Sequence, residues 1–114
     1  MTRFSLPRGV LLMVIATSGA ACGRGNATRH YTVEMHKLAY RPGTIEVSVG
    51  DTITWINRDI VPHTVTAREA GWDSGQLLEG GEFRLVVGEG DAGTYACTYH
   101  PTMRGTLAVR SREH

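Results

Sequence analysis

The feature that most constrains this chain is a two-residue hydrophobic rhythm in short runs, cut by turn-forming residues. Val33 and Met35 alternate with polar neighbours, as do Ile45, Val47 and Val49, then Ile53 and Trp55, then Phe83, Leu85 and Val87. Successive strand side chains point to opposite faces, so this rhythm marks strands with one buried face. The breaks carry turn chemistry: Arg41-Pro42-Gly43, Gly50-Asp51, Gly80-Gly81, Gly88-Glu89-Gly90 and Asp91-Ala92-Gly93. Between them no window carries a helical period. A chain of 114 residues has room for one compact domain. The expected fold is an all-β Greek-key sandwich of about seven or eight strands.

The first 22 residues break that rhythm. Arg3 and Arg8 precede the apolar stretch Val10–Ala16, and small residues follow up to Cys22. This order is that of a secretory signal, and its apolar part is too short to span a bilayer. Gly19-Ala20-Ala21-Cys22 resembles a bacterial lipobox, with Gly19 where a large aliphatic residue is usual. Residues 1–22 are therefore expected to be a signal peptide, in lipoprotein form ending at Cys22. Lipidated Cys22 tethering the chain to a membrane is one outcome; simple cleavage and release to the periplasm is the other. Residues 23–30 lack apolar periodicity and read as a flexible linker, leaving 31–112 as the folded domain.

Charge excludes one class of partner. Net charge is +1 with both signs scattered, whereas a nucleic-acid surface needs clustered Lys and Arg. Removing residues 1–21 leaves ten basic against eleven acidic residues. Cysteine usage is more telling. With Cys22 lipidated or removed, Cys97 is a lone thiol in an exported protein. Such a thiol is buried and inert, reactive, or bound to a metal.

The surroundings of Cys97 favour the metal. In Cys97-Thr98-Tyr99-His100-Pro101-Thr102-Met103 a thiolate, an imidazole and a thioether sit three residues apart. These soft and borderline donors suit copper in both oxidation states. Zinc prefers four strong N or S donors, and a thioether is a poor one. A second nitrogen is available from His63, just after the strand Thr52–Asn57 and the turn Arg58–Pro62.

Taken together, Gly50-Asp51-Thr52-Ile53-Thr54-Trp55-Ile56-Asn57, Pro62-His63-Thr64-Val65 and Cys97-x-x-His100-x-x-Met103 resemble the cupredoxins. These are the type 1 blue copper proteins, and the short ligand loop is that of amicyanin/plastocyanin-like members. The resemblance runs from about Leu38 to Val109 and implies a cupredoxin-type sandwich holding one copper ion (Cu+/Cu2+). It implies His63 Nδ1, Cys97 Sγ and His100 Nδ1 as an equatorial plane, with Met103 Sδ as a long axial ligand. It also implies electron transport: single electrons pass between exported redox partners such as a c-type cytochrome, dehydrogenase, oxidase or reductase. His100 would be the exposed edge, ringed by Val61, Pro62, Tyr99 and Pro101 as a small apolar patch. Thr64 stands where Asn is common, so the tie between the two ligand loops is in question. Tyr99 stands where Pro is common, restoring a backbone N–H near the thiolate.

Structural alternatives stand beside each reading. A lone Cys or Met is ordinarily core filler, and the spacing with His63 and His100 is what overrides this. Asp91-x-Gly93-x-Tyr95-x-Cys97 also fits the tyrosine corner of immunoglobulin domains, but no second Cys lies on an early strand. Tyr95 is still expected to lock a Greek-key crossover. Trp55 and Trp72 read as packing; His30, His36 and His114 as solvated. Arg58, Arg68 and Arg104 read as a solvated face, Arg58 and Arg104 alternatively as a rim attracting an acidic partner. No enzyme activity is expected, because four protein ligands leave no open metal position. The competing function is a periplasmic copper chaperone or storage protein delivering copper to a redox enzyme. A monomer is expected.

Overall fold

The computed structural model describes residues 27–111, and the signal, Cys22, the linker up to residue 26 and His114 lie outside them. Among the described residues nine strands form: β1 (His30–Met35), β2 (Tyr40–Arg41), β3 (Thr44–Ser48), β4 (Thr52–Asn57), β5 (Thr66–Ala67), β6 (Trp72–Asp73), β7 (Glu82–Val86), β8 (Gly93–Ala96) and β9 (Arg104–Arg110). Three of the nine are two-residue ladders, which carry too few positions to show any alternation. β1, β3 and β7 carry the alternation read from the sequence, and β4 carries it with one exception. Among the described residues, no helix is long and apolar enough to cross a membrane.

One sheet has the order β2-β1-β4-β7 and the other β3-β9-β8-β5-β6. β1 pairs with β4, and β3 with β9, in parallel; the remaining pairs are antiparallel. The chain crosses between sheets after β2, β3, β4, β6 and β7. Inward residues alternate as expected: Val33 and Met35 on β1, Ile45 and Val47 on β3, Ile53 and Trp55 on β4 are buried. β4 departs from strict alternation, since Thr54 is buried as well. The imidazole Nε2 of His30 lies 2.8 Å from Thr54 Oγ1. His30 is exposed and opens β1, with Thr54 as a side-chain partner.

Between the sheets lies an aromatic cluster. Trp55 meets Trp72, Phe83 and Tyr95 at centroid distances of 5.3, 5.7 and 5.5 Å, and Tyr40 meets Tyr95 edge-on at 4.7 Å. Such pairs add to the burial of large apolar area. The tyrosine-corner expectation needs correction. The Tyr95 hydroxyl makes no hydrogen bond, nor does the Trp55 indole N–H beside it. Tyr95 instead lays its ring over its cross-strand partner Gly105, where any side chain would collide with it. Burial raises the Tyr95 phenol above its ordinary range.

Candidate metal centre

His63 and Cys97 belong to different crossings of the chain, and three local devices bring them together. The first is Asn57 at the end of β4, fully buried. Its Nδ2 donates to the carbonyls of Val61 and Leu77 at 3.0 and 2.9 Å, and its Oδ1 accepts the Asp59 N–H at 2.8 Å. One amide thus shapes the loop 58–62. The second is a backbone bridge in which His63 N–H donates to Leu77 O at 3.0 Å and Leu77 N–H to His63 O at 2.8 Å. The third is the β5–β8 ladder, where Thr66 pairs with Ala96 and so draws the segment before Thr66 alongside the residues after Ala96.

Cys97 is the first residue past β8, and its loop closes back to β9. Cys97 N–H donates to Met103 O at 3.1 Å, His100 N–H to Cys97 O at 3.3 Å and Met103 N–H to His100 O at 2.8 Å. The short spacing read from the sequence is therefore a tight, backbone-bonded loop running from Cys97 through His100 to Met103.

The donor atoms converge. Cys97 Sγ lies 3.7 Å from His63 Nδ1 and 3.6 Å from His100 Nδ1, and all three atoms lie within 4.8 Å of one another. Metal–nitrogen and metal–sulfur bonds of about 2.0 and 2.3 Å, opened to about 110–120°, require an N···S edge of roughly 3.5–3.7 Å. The triangle has that size without rearrangement. His63, Cys97 and Met103 are buried, and His100 is half-buried. Met103 is thus next to the triangle in the chain and shielded from water.

What surrounds the triangle sets its chemistry. Thr64 N–H donates to Cys97 Sγ at 3.4 Å; among the described residues no such bond comes from Tyr99. Tyr99 donates its hydroxyl to Gln76 Oε1 at 2.9 Å. Thr64 Oγ1 accepts the Thr98 N–H at 2.9 Å and lies 2.9 Å from Thr66 Oγ1, which donates onward to Asp73. The tie between the ligand loops is therefore kept by a hydroxyl, because β5 already holds the two loops close enough for its short reach. Tyr40 donates its hydroxyl to Thr64 O at 2.7 Å. Burial, with Cys97 and Tyr95 adding to it, pushes the Tyr40 phenol far above its ordinary range, so it stays a donor.

Asp59 is the site residue that sequence reading missed. Its Oδ2 lies 2.8 Å from His63 Nε2, and its side chain is 13% exposed. Burial alone would raise its pKa; hydrogen bonds from the His63 ring and the Leu38 and Lys37 N–H groups, and the His63 charge, outweigh that. The net pKa falls to about 2. A carboxylate on Nε2 fixes that nitrogen as the donor and leaves Nδ1 free to bind a metal. The only available signal was an acid four residues before a candidate ligand. On the rim, Arg58 engages Glu34 at 3.4 Å and Arg104 donates to Pro101 O at 3.1 Å. Val61, Tyr99 and Ile60 are exposed.

Comparison with known proteins gives a consistent result. The sequence profile of the cupredoxin-like domain matches residues 9–109. Amicyanin from Paracoccus denitrificans is 35% identical over 82 residues, which is 68% of this chain and 63% of that protein, so less than two thirds of the relative's length is spanned. Among solved structures, a Cu(I) amicyanin variant superimposes with a TM-score of 0.63 at 35% identity, covering 80% of this chain and 88% of that one. A purple cupredoxin from Nitrosopumilus maritimus superimposes with a TM-score of 0.62 at 27% identity, covering 70% and 99%.

Proposed function

The chain belongs to the cupredoxin-like family, and on that footing we propose that it is a type 1 blue copper protein carrying single electrons between exported redox partners. The observation that carries the reading is the buried triangle of Cys97 Sγ and two imidazole Nδ1 atoms with edges of 3.6 and 3.7 Å to the sulfur. His63, Cys97 and His100 would hold the ion, and Met103 would add a weaker thioether donor.

A bound copper ion supplies the one-electron Cu(I)/Cu(II) couple. The protein's part is to hold the donors still in both states. His63 is pinned at its backbone by Leu77 and at its ring by Asp59. Cys97 is pinned by the loop bonds and by Thr64. Little rearrangement then accompanies electron movement. His100 alone of the three is partly open to solvent, and the exposed Val61, Tyr99 and Pro101 nearby in the chain supply a small apolar surface suited to brief redox encounters. Four protein ligands leave no position for a substrate, which supports a carrier over an enzyme. The rigidity of the triangle supports a carrier over a chaperone, whose ligands must release copper to an acceptor.

The same reading takes residues 31–112 as one cupredoxin domain, exported by residues 1–22 and joined by the linker 23–30, with Cys22 as the lipid-bearing end. Mass spectrometry of the mature N-terminus tests that part. The central test is absorption and EPR of the purified domain after adding Cu(II). An intense thiolate-to-copper band with narrow copper hyperfine splitting, lost in Cys97→Ala, is expected. A pale, tetragonal spectrum in the wild-type chain would refute a type 1 site.

A further inference from the structure

The carboxylate that holds His63 is itself held from another part of the fold. β1 and β2 are joined by a turn closed by two backbone bonds between His36 and Ala39, of 2.9 and 3.2 Å. Its central residues, Lys37 and Leu38, have φ of 55° and 60°. Two successive left-handed residues make the hairpin turn that ordinarily favours Asn-Gly, and each non-glycine residue there is strained. Such strain persists only where the surroundings over-determine it.

Here the surroundings are Asp59. Lys37 N–H donates to Asp59 Oδ1 at 2.7 Å and Leu38 N–H to Oδ2 at 2.9 Å, one donor for each oxygen. Oδ2 also meets His63 Nε2. Arg58 N–H donates to Met35 O at 2.8 Å, which seats the loop carrying Asp59 against the end of β1. The left-handed pair turns two adjacent N–H groups toward one anion, as backbone nests do.

We propose that the Lys37–Leu38 turn is a positioning element of the metal centre: its N–H groups fix Asp59, and Asp59 fixes the orientation and tautomer of the His63 ring. The proposal rests on His63 being a copper ligand. Lys37 and Leu38 touch no donor atom; they act through Asp59. A carboxylate on the remote nitrogen makes the imidazole more basic and favours the more highly charged Cu(II).

The test is a cycle of full-chain variants read by copper affinity, midpoint potential and 15N NMR of the His63 ring. Asp59→Asn should weaken copper binding by about 10- to 100-fold, the range for outer-shell partners, and raise the potential. Lys37→Pro removes one N–H and cannot adopt a positive φ; it should shift both readouts in the same direction. Added to Asp59→Asn it should do nothing further, since both act on one link. Replacing Lys37-Leu38 with Asn-Gly, which keeps both N–H groups and suits the turn, should behave as wild type. A folded Lys37→Pro chain with wild-type affinity and potential would overturn the proposal, as would effects of Lys37→Pro and Asp59→Asn that multiply. Should Lys37→Pro not fold, Leu38→Val, whose branched side chain resists the left-handed conformation, takes its place under the same criteria. If the wild-type chain forms no blue site, the ligand reading fails, and NMR of the metal-free chain still decides this one. A protected His63 Nε2–H signal lost in the turn variant supports it, and an unchanged signal rejects it.

Discussion

Thr64 joins the two ligand loops through its side-chain oxygen as well as through its N–H to Cys97 Sγ, and Thr64→Val removes that oxygen while keeping the shape. Its Oγ1 accepts the Thr98 N–H at 2.9 Å. Of the neighbouring hydroxyls, Thr66 retains Asp73 Oδ1 as an acceptor at 2.9 Å, so it is not stranded. The cost therefore falls on the Thr98 N–H. A net intramolecular hydrogen bond contributes about 0.5–1.5 kcal/mol, and a stranded buried donor costs about 1–3 kcal/mol. Thr98 is itself exposed, so water recovers part of the loss and about 1–2 kcal/mol is expected. For a domain of this size that lowers the melting temperature by roughly 4–15 °C. The assay is thermal unfolding of the metal-free chain, followed by the copper spectrum and potential of the loaded one. Thr64→Ser, which keeps the oxygen and loses the methyl, should leave the spectrum unchanged. If Thr64→Val melts within about 2 °C of wild type and its potential does not move, the loops are not joined through this hydroxyl.

Two further predictions concern the frame. A Cβ at Gly105 would lie 2.6 Å from Tyr95 Cε1, and Tyr95 is boxed in by Tyr40, Trp55 and Trp72. Gly105→Ala should therefore destabilise by about 1–3 kcal/mol of overpacking, measured by urea unfolding; unchanged stability would mean that the ring is free to move aside. Asp59 titrates at about 2 in the fold against 3.8 in an unfolded chain. The depressed value means that its contribution, about 2 kcal/mol, is complete above pH 3.8 and fades as pH falls toward 2. In urea unfolding of the metal-free protein, the stability gap between wild type and Asp59→Asn should be present at about pH 5 and shrink steadily below about pH 4. A gap that is constant with pH would refute the depressed carboxylate.

The pattern of residues by itself determined the sandwich and half of the site. Alternation and turn chemistry are local properties, so Val33, Ile53, Trp55 and Leu85 could be assigned to inward faces, and the breaks at Gly50 and Gly80 located, without knowing any pairing. Cys97 and His100 were legible for the same reason: three residues apart, they are held within reach of one another. His63 lies 34 residues from Cys97, and no local spacing ties the two together. The physical cause of its placement is tertiary: the Thr66–Ala96 pairing and the His63–Leu77 bridge. Asp59, Asn57, Gly105 and the Lys37–Leu38 turn gave no usable signal. Lys37-Leu38 has neither Gly nor Asn to mark a left-handed turn, because the turn is held by a carboxylate 21 and 22 residues away. Gly105 looks like any strand glycine until Tyr95 is laid across it. Local periodicity thus determines which residues face inward, while the contacts that aim the ligands depend on which strands meet, and the tertiary structure alone decides that.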